Sequence, residues 1–391
     1  MVSQVRHLLA LITEAIETLE RTCASTGTSL PDLHSSFSPQ SEAFRAHPAA
    51  SEAANVVSAA ALQLEAILTP PHVSLYHVVA GDIIAHPETK HEDTSGLPAL
   101  AAHHLDECFK ASAYAWETLC DPATAKSSDP AASPFSRAFN ANETIWDFFN
   151  RDEMRSKRFN IGMRGVQAMQ PADAILKAYE WSELPAGSIV VDVGGGVGSA
   201  SLPLAKEFPD LNVVIQDRPS VIEDAKELWK KHLPNARVTL EVQDFFEPQP
   251  DRTVSVFLLK QILHDWSDEF CVKILTQLRA ATKNNTKLLL VESLIPFTCH
   301  DPSGDDVLCI PGSIPHEAPV PLLPNFGAVN EMGYNADILM FFLFNSQERT
   351  IRHFSELLLS TGWRVKKVYR QNGDSTLLQS VEAIPVEVHD S

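Results

Sequence analysis

Residues 189–198, IVVDVGGGVG, constrain the fold more than any other stretch of the chain. A short β-branched run ends in Asp192 and passes into glycines at 194, 196 and 198. The expected local structure is a buried strand, then a glycine loop, then a helix from Ser199 to Phe208. Glycine suits such a loop because the backbone must turn sharply and lie against a ligand with no Cβ between them. The spacing argues against a dinucleotide. In the G-x-G-x-x-G fingerprint the third glycine would fall at position 199, which is serine.

The texture from Ser188 onward supports a doubly wound parallel sheet. Apolar runs fit strands at 189–193, 212–216, 237–242, 254–259 and 287–292, with helices between them at 200–208, 219–232 and 269–281. This alternation is the βαβ rhythm. A helix over 350–361 and strands at 363–369 and 375–383 follow, the last two expected as an antiparallel edge. The first half differs. Val5, Leu8, Leu9, Ile12, Ile16 and Leu19 recur at helical spacing. Further helices are expected at 53–68 and 97–119, separated by loops rich in Ser, Thr and Pro. A helical connector over 144–179 joins the halves, and the expected domains are 1–150, helical, and 151–391, α/β. A proline-rich insert, Pro296 to Pro324, reads as an irregular lid or loop over a site.

A net charge of −19 argues against nucleic acid and anionic membrane as partners, since both are polyanions. The six cysteines are scattered, with no zinc spacing, and fit reduced intracellular thiols. The amphipathic start lacks a signal-peptide core, and no apolar stretch reaches the roughly 18 residues of a membrane span. A cytoplasmic protein is expected.

Ligands of open α/β sheets bind at the carboxyl ends of the strands. Asp217 ends the second expected strand, 23 residues after Gly194, where an acid can accept from ribose hydroxyls. Asp244 and Phe245 follow the third, an acid for an adenine amino group beside a ring that can cover a base. Lys260 and His264-Asp265-Trp266 follow the fourth, and Glu292 ends the fifth. An imidazole with a pKa of about 6.5 suits a general base. Glu348 lies in NSQERT before a helix, where an acid also suits the helix dipole.

The set VDVGGGVG, VIQDRP, QDFF, FLLKQILHDWSD, LLLVESLIP and NSQERT resembles the class I S-adenosylmethionine-dependent O-methyltransferases of the caffeate/flavonoid type, and most of all their fungal relatives. The resemblance covers residues 140–385 strongly. It implies a Rossmann-like α/β fold, S-adenosylmethionine as cofactor, and a small phenolic or enolic aromatic acceptor. It implies His264 as base, flanked by Glu292 and Glu348. Asp192, Gly194, Gly196, Asp217, Asp244, Phe245 and Lys260 are then the cofactor residues, and Met163 and Asp265 face the acceptor. No metal is implied. The family also implies a homodimer through the N-terminal helices. The chain departs from the pattern in one place. Val73–Gly81 runs into Asp82–Lys90 with no room for a winged-helix segment of about sixty residues. A protein of this fold that binds the cofactor without methylating, as a repurposed cyclase or a scaffold, is the rival reading.

Overall fold

The computed structural model describes residues 3–31, 39–68, 96–170, 173–283, 285–301, 307, 309–370 and 378–387. The expected shortening at 73–90 lies outside them. Seven strands form one sheet: β1 (Ile189–Val193), β2 (Asn212–Asp217), β3 (Val238–Val242), β4 (Val256–Lys260), β5 (Lys287–Glu292), β6 (Trp363–Tyr369) and β7 (Gln379–Pro385). Their order is β3-β2-β1-β4-β5-β7-β6. The first five are mutually parallel, and β7 runs antiparallel to both β5 and β6. All seven lie beyond Ser188, and the described part of the first half is helical.

The central strands are continuous apolar runs because both faces of the sheet are covered. Side chains alternate between the faces. Val191, Val193, Phe257, Leu259, Leu288 and Leu290 join one cluster with Leu275, Leu278 and Phe354. Val190, Val256, Leu258, Leu289 and Val291 join the opposite one with Trp181 and Leu204. Each such side chain contributes about 1.5–3 kcal/mol by leaving water. The strand order switches direction between β1 and β4, which places the crevice at the carboxyl edge, next to the glycine loop.

The helical half departs from expectation in several places. The single helix expected over 97–119 is broken. Helix Leu97–His103 passes into a π-helical turn, His104–Cys108, then Phe109–Ser112, and after a turn Ala115–Cys120. The wide turn buries Glu107, which meets His103 at 3.0 Å and the guanidinium groups of Arg155 and Arg158. Those arginines lie on helix Glu153–Met169, which packs against Leu97–His103. Packing is close because Gly96 and Gly162 face that contact. A Cβ on Gly96 would lie 2.5 Å from the Ile161 carbonyl oxygen. Helix Glu331–Phe344 carries no periodic signal in the sequence, because its apolar residues run on rather than recur on one face. Two of them, Leu343 and Phe344, close a cluster with Phe135, Phe148 and Phe149.

The proline-rich insert is not merely irregular surface. Its Val307 enters the main core, and Leu322 packs with Phe326 against helices Gln4–Thr26 and Pro48–Leu68. Gln63 donates to the Pro321 carbonyl, and His316 pairs with Glu52 at 3.0 Å. Its described contacts thus tie down the first two helices. Among the described residues no helix is long and apolar enough to cross a membrane.

Candidate active site

The glycine loop takes its shape from residues close by in sequence. Gly194, Gly196 and Gly198 all have positive φ, at 67°, 60° and 80°. That alternation of left-handed residues accounts for the alternating spacing. Gly198 has a second constraint, since a Cβ there would lie 2.6 Å from the Trp229 indole nitrogen. Trp229 in turn donates to the Val197 carbonyl at 3.0 Å. Asp192 lies under the loop, 1 % exposed, and accepts from the Ser201 hydroxyl at 2.6 Å. Burial pushes its carboxyl up to about 6. Asp217 accepts from the Gly196 N–H at 2.8 Å and the Arg218 N–H at 2.7 Å. Its carboxyl is also raised by burial, which these bonds oppose.

The residues of the next strand ends border this loop. Asp244 accepts from the Phe246 N–H at 2.9 Å and is exposed. The Phe245 ring reaches to 3.5 Å of where a Gly194 Cβ would stand, and meets Trp266 edge-on at 5.8 Å. Lys260 ends β4, and its ammonium donates to the Gln261 side chain at 2.9 Å. Burial pulls that ammonium down to about 8, against the carboxylates of Asp192 and Glu292.

His264 sits on a single 3₁₀ turn, Leu263–Asp265. The backbone reaches it through Gln261, a non-glycine residue held at φ 54°, and residues in such conformations cluster at functional sites. His264 Nδ1 lies 2.8 Å from Glu348 Oε1, and Nε2 lies 3.5 Å from Asp265 Oδ1. Burial alone would lower this imidazole. The carboxylates of Glu348, Asp265 and Glu292 outweigh it and hold the pKa at about 10. Asp265 is itself raised by burial to about 6.

The two glutamates expected to flank the ring act differently. Glu348 binds it directly. Glu292 turns Oε1 to the N–H groups of Ile262 and Leu263, at 3.0 and 2.9 Å, and so holds the turn that carries the ring. The register explains this: Lys260 pairs with Val291, so Glu292 stands opposite Gln261 and reaches the next N–H groups. Its Oε2 is buried with no hydrogen-bond partner among the described residues. Burial lifts the Glu292 carboxyl to about 7. Ligand atoms of His264, Glu292 and Glu348 all lie within 4.8 Å of one another.

One residue that sequence reasoning missed is Arg349. It is 1 % exposed and donates to the carbonyls of Leu263 and Trp266, each at 2.7 Å, and to Asp268 at 2.9 Å. It thereby grips both ends of the His264 turn. A signal was present, as Arg349 directly follows Glu348 in NSQERT, but an arginine beside an acid reads equally well as a solvated pair. Asp337, on helix Glu331–Phe344, was also missed. It accepts from the Glu348 N–H at 2.8 Å.

Met163 lies half-buried on helix Glu153–Met169, one turn beyond Phe159. The Phe159 ring packs on His103, Trp146 and Phe149. Trp146 stacks on Phe344 at 5.2 Å, at the end of the helix that leads to Glu348. An aromatic wall thus joins the helical half to the His264 side of the crevice.

Comparison with known proteins adds three findings. Residues 116–310 match an O-methyltransferase domain. The chain is 41% identical to 4-O-methyltransferase 1 of Phanerochaete chrysosporium, over 98% of this chain and 100% of that protein. That alignment spans 471 positions against a chain of 391 residues, so at least 80 positions have no counterpart here. Coverage of both chains puts those positions inside the alignment, in keeping with an internal shortening. Among solved structures, NcsB1, an O-methyltransferase from neocarzinostatin biosynthesis in complex with S-adenosyl-L-homocysteine and 1,4-dihydroxy-2-naphthoic acid, superposes with a TM-score of 0.57. It is 17% identical, over 97% of this chain and 96% of that one. A pericyclic reaction enzyme superposes equally well, with a TM-score of 0.59 at 17% identity over 96% of this chain and 99% of that one. At these identities the two structures speak to the fold alone.

Proposed function

The chain belongs to the O-methyltransferase family, and from that premise we propose that it methylates a hydroxyl of a small phenolic or enolic aromatic, with His264 as general base and without a metal. The observation that carries the proposal is the His264–Glu348 contact of 2.8 Å at the end of β4, on the same sheet edge as the glycine loop.

The residues around the loop fit S-adenosylmethionine. A Cβ on Gly196 would meet nothing within 4 Å, so open space lies over the loop. The partly buried carboxylate of Asp217 suits ribose hydroxyls, and Asp244 with Phe245 suits an adenine edge and face. Gly194 allows close approach, Asp192 supports the loop from below, and Lys260 borders the crevice. When bound, the cofactor supplies a methyl already activated on a sulfonium.

A phenol with a pKa near 10 is mostly protonated at neutral pH. His264 would take that proton through Nε2, breaking the O–H bond and leaving its electron pair on the phenol oxygen. Glu348 fixes the ring through Nδ1 and stabilises the imidazolium that results. The three carboxylates favour the protonated form of His264. It gives up the proton as positive charge enters the crevice, because like charge disfavours the imidazolium. Asp265, beside Nε2, and Met163, on the aromatic wall, are the groups proposed to meet the acceptor. The homodimer through the N-terminal helices belongs to the same proposal. Leu9, Ile16 and Leu62 are exposed along those helices, and sedimentation distinguishes one copy from two.

The test is product analysis with S-adenosylmethionine and a panel of phenols, catechols and flavonoids. The relative's name makes a 4-hydroxyl the first position to examine. Methylated product together with S-adenosylhomocysteine is expected, and a chelator should leave the rate unchanged. Tight cofactor binding with no product across the panel would favour the rival, a fold that binds without methylating. A chelator-sensitive rate would return the His264, Glu292 and Glu348 cluster to consideration as a metal centre.

A further inference from the structure

The loop between Asp121 and Pro134 enters neither the fold nor the chemistry described so far, yet three of its residues bond to the segments that flank His264 and Glu348. On one side, the Ser267 hydroxyl donates to the Ser128 carbonyl at 2.8 Å, and the Ser128 hydroxyl donates to Glu269 Oε2 at 2.6 Å. Ser267 is three residues beyond His264. On the other side, the Asn345 carboxamide donates to the carbonyls of Ser127 at 2.7 Å and Asp129 at 3.0 Å. Asn345 is three residues before Glu348.

Two details set these contacts apart from ordinary surface bonds. Ser267 occupies the N-cap position of helix Asp268–Ala280 with extended dihedrals, φ −63° and ψ 163°, but its hydroxyl makes no cap bond. A capping serine normally satisfies a helix N–H. Here the hydroxyl turns to Ser128 instead. Asn345 ends helix Glu331–Phe344 in the left-handed region, φ 55°. Its backbone turn needs no side-chain donor, yet both carboxamide bonds go across to the loop.

We propose that Ser127–Asp129 is a strap joining the His264 turn to the Glu348 turn, and that Asn345 and Ser267 are positioning residues which set the His264–Glu348 contact through it. Without the strap the two turns share Arg349 and the contact itself, but lose their common link to the helical half. The rigid tie holds the imidazole plane and the carboxylate in line as the acceptor arrives. Misplacement of about 1 Å at such a distance costs on the order of 100-fold in rate. The inference rests on the reading of His264 as base and Glu348 as its partner.

The test uses Asn345→Gly and Ser267→Ala in the full chain. Glycine keeps the left-handed turn and removes only the carboxamide, so folding is retained. Each variant is expected to lower kcat about 10-fold or more, with KM for S-adenosylmethionine within about twofold, because the glycine loop is untouched. The acid limb of the kcat–pH profile should move toward lower pH as the imidazole loses its fixed carboxylate. Ser267→Thr keeps the hydroxyl and should restore both readouts. The double variant should be no worse than the more damaged single one, because both cut the same strap. An unchanged kcat and pH profile in an active wild-type background would overturn the proposal, as would additive losses or a lowered melting temperature with no change in the profile. A wild-type protein with no transfer activity would instead fail the reading beneath it, which separates the two failures.

Discussion

The glycine loop and the His264 turn lie on the same sheet edge but are assembled in opposite ways. The loop is held by near neighbours: Ser201 on Asp192 is nine residues away, Asp217 on Gly196 is 21, and Trp229 on Val197 is 32. The turn draws most of its partners from farther away. Glu292 is as near as the loop's own partners, across 29 residues, but Glu348 reaches the turn across 84 and Arg349 across 86, and Ser128 touches its flank across 139. A locally built loop can be read from one motif and survives rearrangement elsewhere. A turn built with three other segments, two of them distant, depends on the whole fold being in register, and its geometry is exposed to changes far from it.

The largest expected effect that separates the two regions comes from Arg349→Met. It fills similar volume but strips the charged donor from the carbonyls of Leu263 and Trp266, which keep the weak Cys271 thiol contacts at 3.3 Å and, at Leu263, the Trp266 N–H at 3.2 Å, a loss of about 1.5–3 kcal/mol per charge-assisted bond at most. Urea unfolding should show the loss and kcat should fall, while calorimetry on the folded variant finds cofactor affinity nearly unchanged. Equal damage to cofactor binding would show that loop and turn are one unit. Asp217→Ala is the converse. It removes acceptors from the loop side only, and cofactor binding should weaken by roughly 1.5–3 kcal/mol per charge-assisted bond with the pH profile unmoved.

A smaller effect sharpens the electrostatic side. The imidazole is raised to about 10, so its charged pairing stabilises the folded state fully below the usual 6.5 and that contribution is lost as pH rises through about 10. The neutral, base-competent form follows the opposite course, so turnover should rise with pH along a limb that lies below about 10, because the positive charge of the bound cofactor lowers the imidazole. Glu348→Gln removes the first of the raising carboxylates, and the rising limb should shift to lower pH. A limb that stays in place would assign it to another group.

Much of this was legible in the sequence, for a physical reason. Strands β1, β2, β4 and β5 are buried on both faces and so announce themselves as apolar runs, while β3, at the sheet edge, is partly exposed; the acids at 217, 244 and 292 are placed by counting to strand ends. His264 and Glu348 were identifiable as a pair by resemblance. What Glu292 bonds to was not, because it depends on the register between β4 and β5. Arg349 was hidden because a buried arginine and a solvated one look alike in sequence. The π-helical turn at 104–108 was hidden because nothing in the spacing of Leu97–Leu119 reports that Glu107 meets Arg155 and Arg158. Helix Glu331–Phe344 was hidden by its lack of amphipathic period.

The most direct measurement is single-turnover methylation by wild type and His264→Ala, each saturated with S-adenosylmethionine, on two matched acceptors. One is a phenol of ordinary pKa, near 10. The other is an acidic phenol already ionised at neutral pH. If His264 removes the acceptor proton, the variant should lose about 100-fold or more on the ordinary phenol and far less on the ionised one. Equal losses on both, or none on either, would contradict the assignment of His264 as the base.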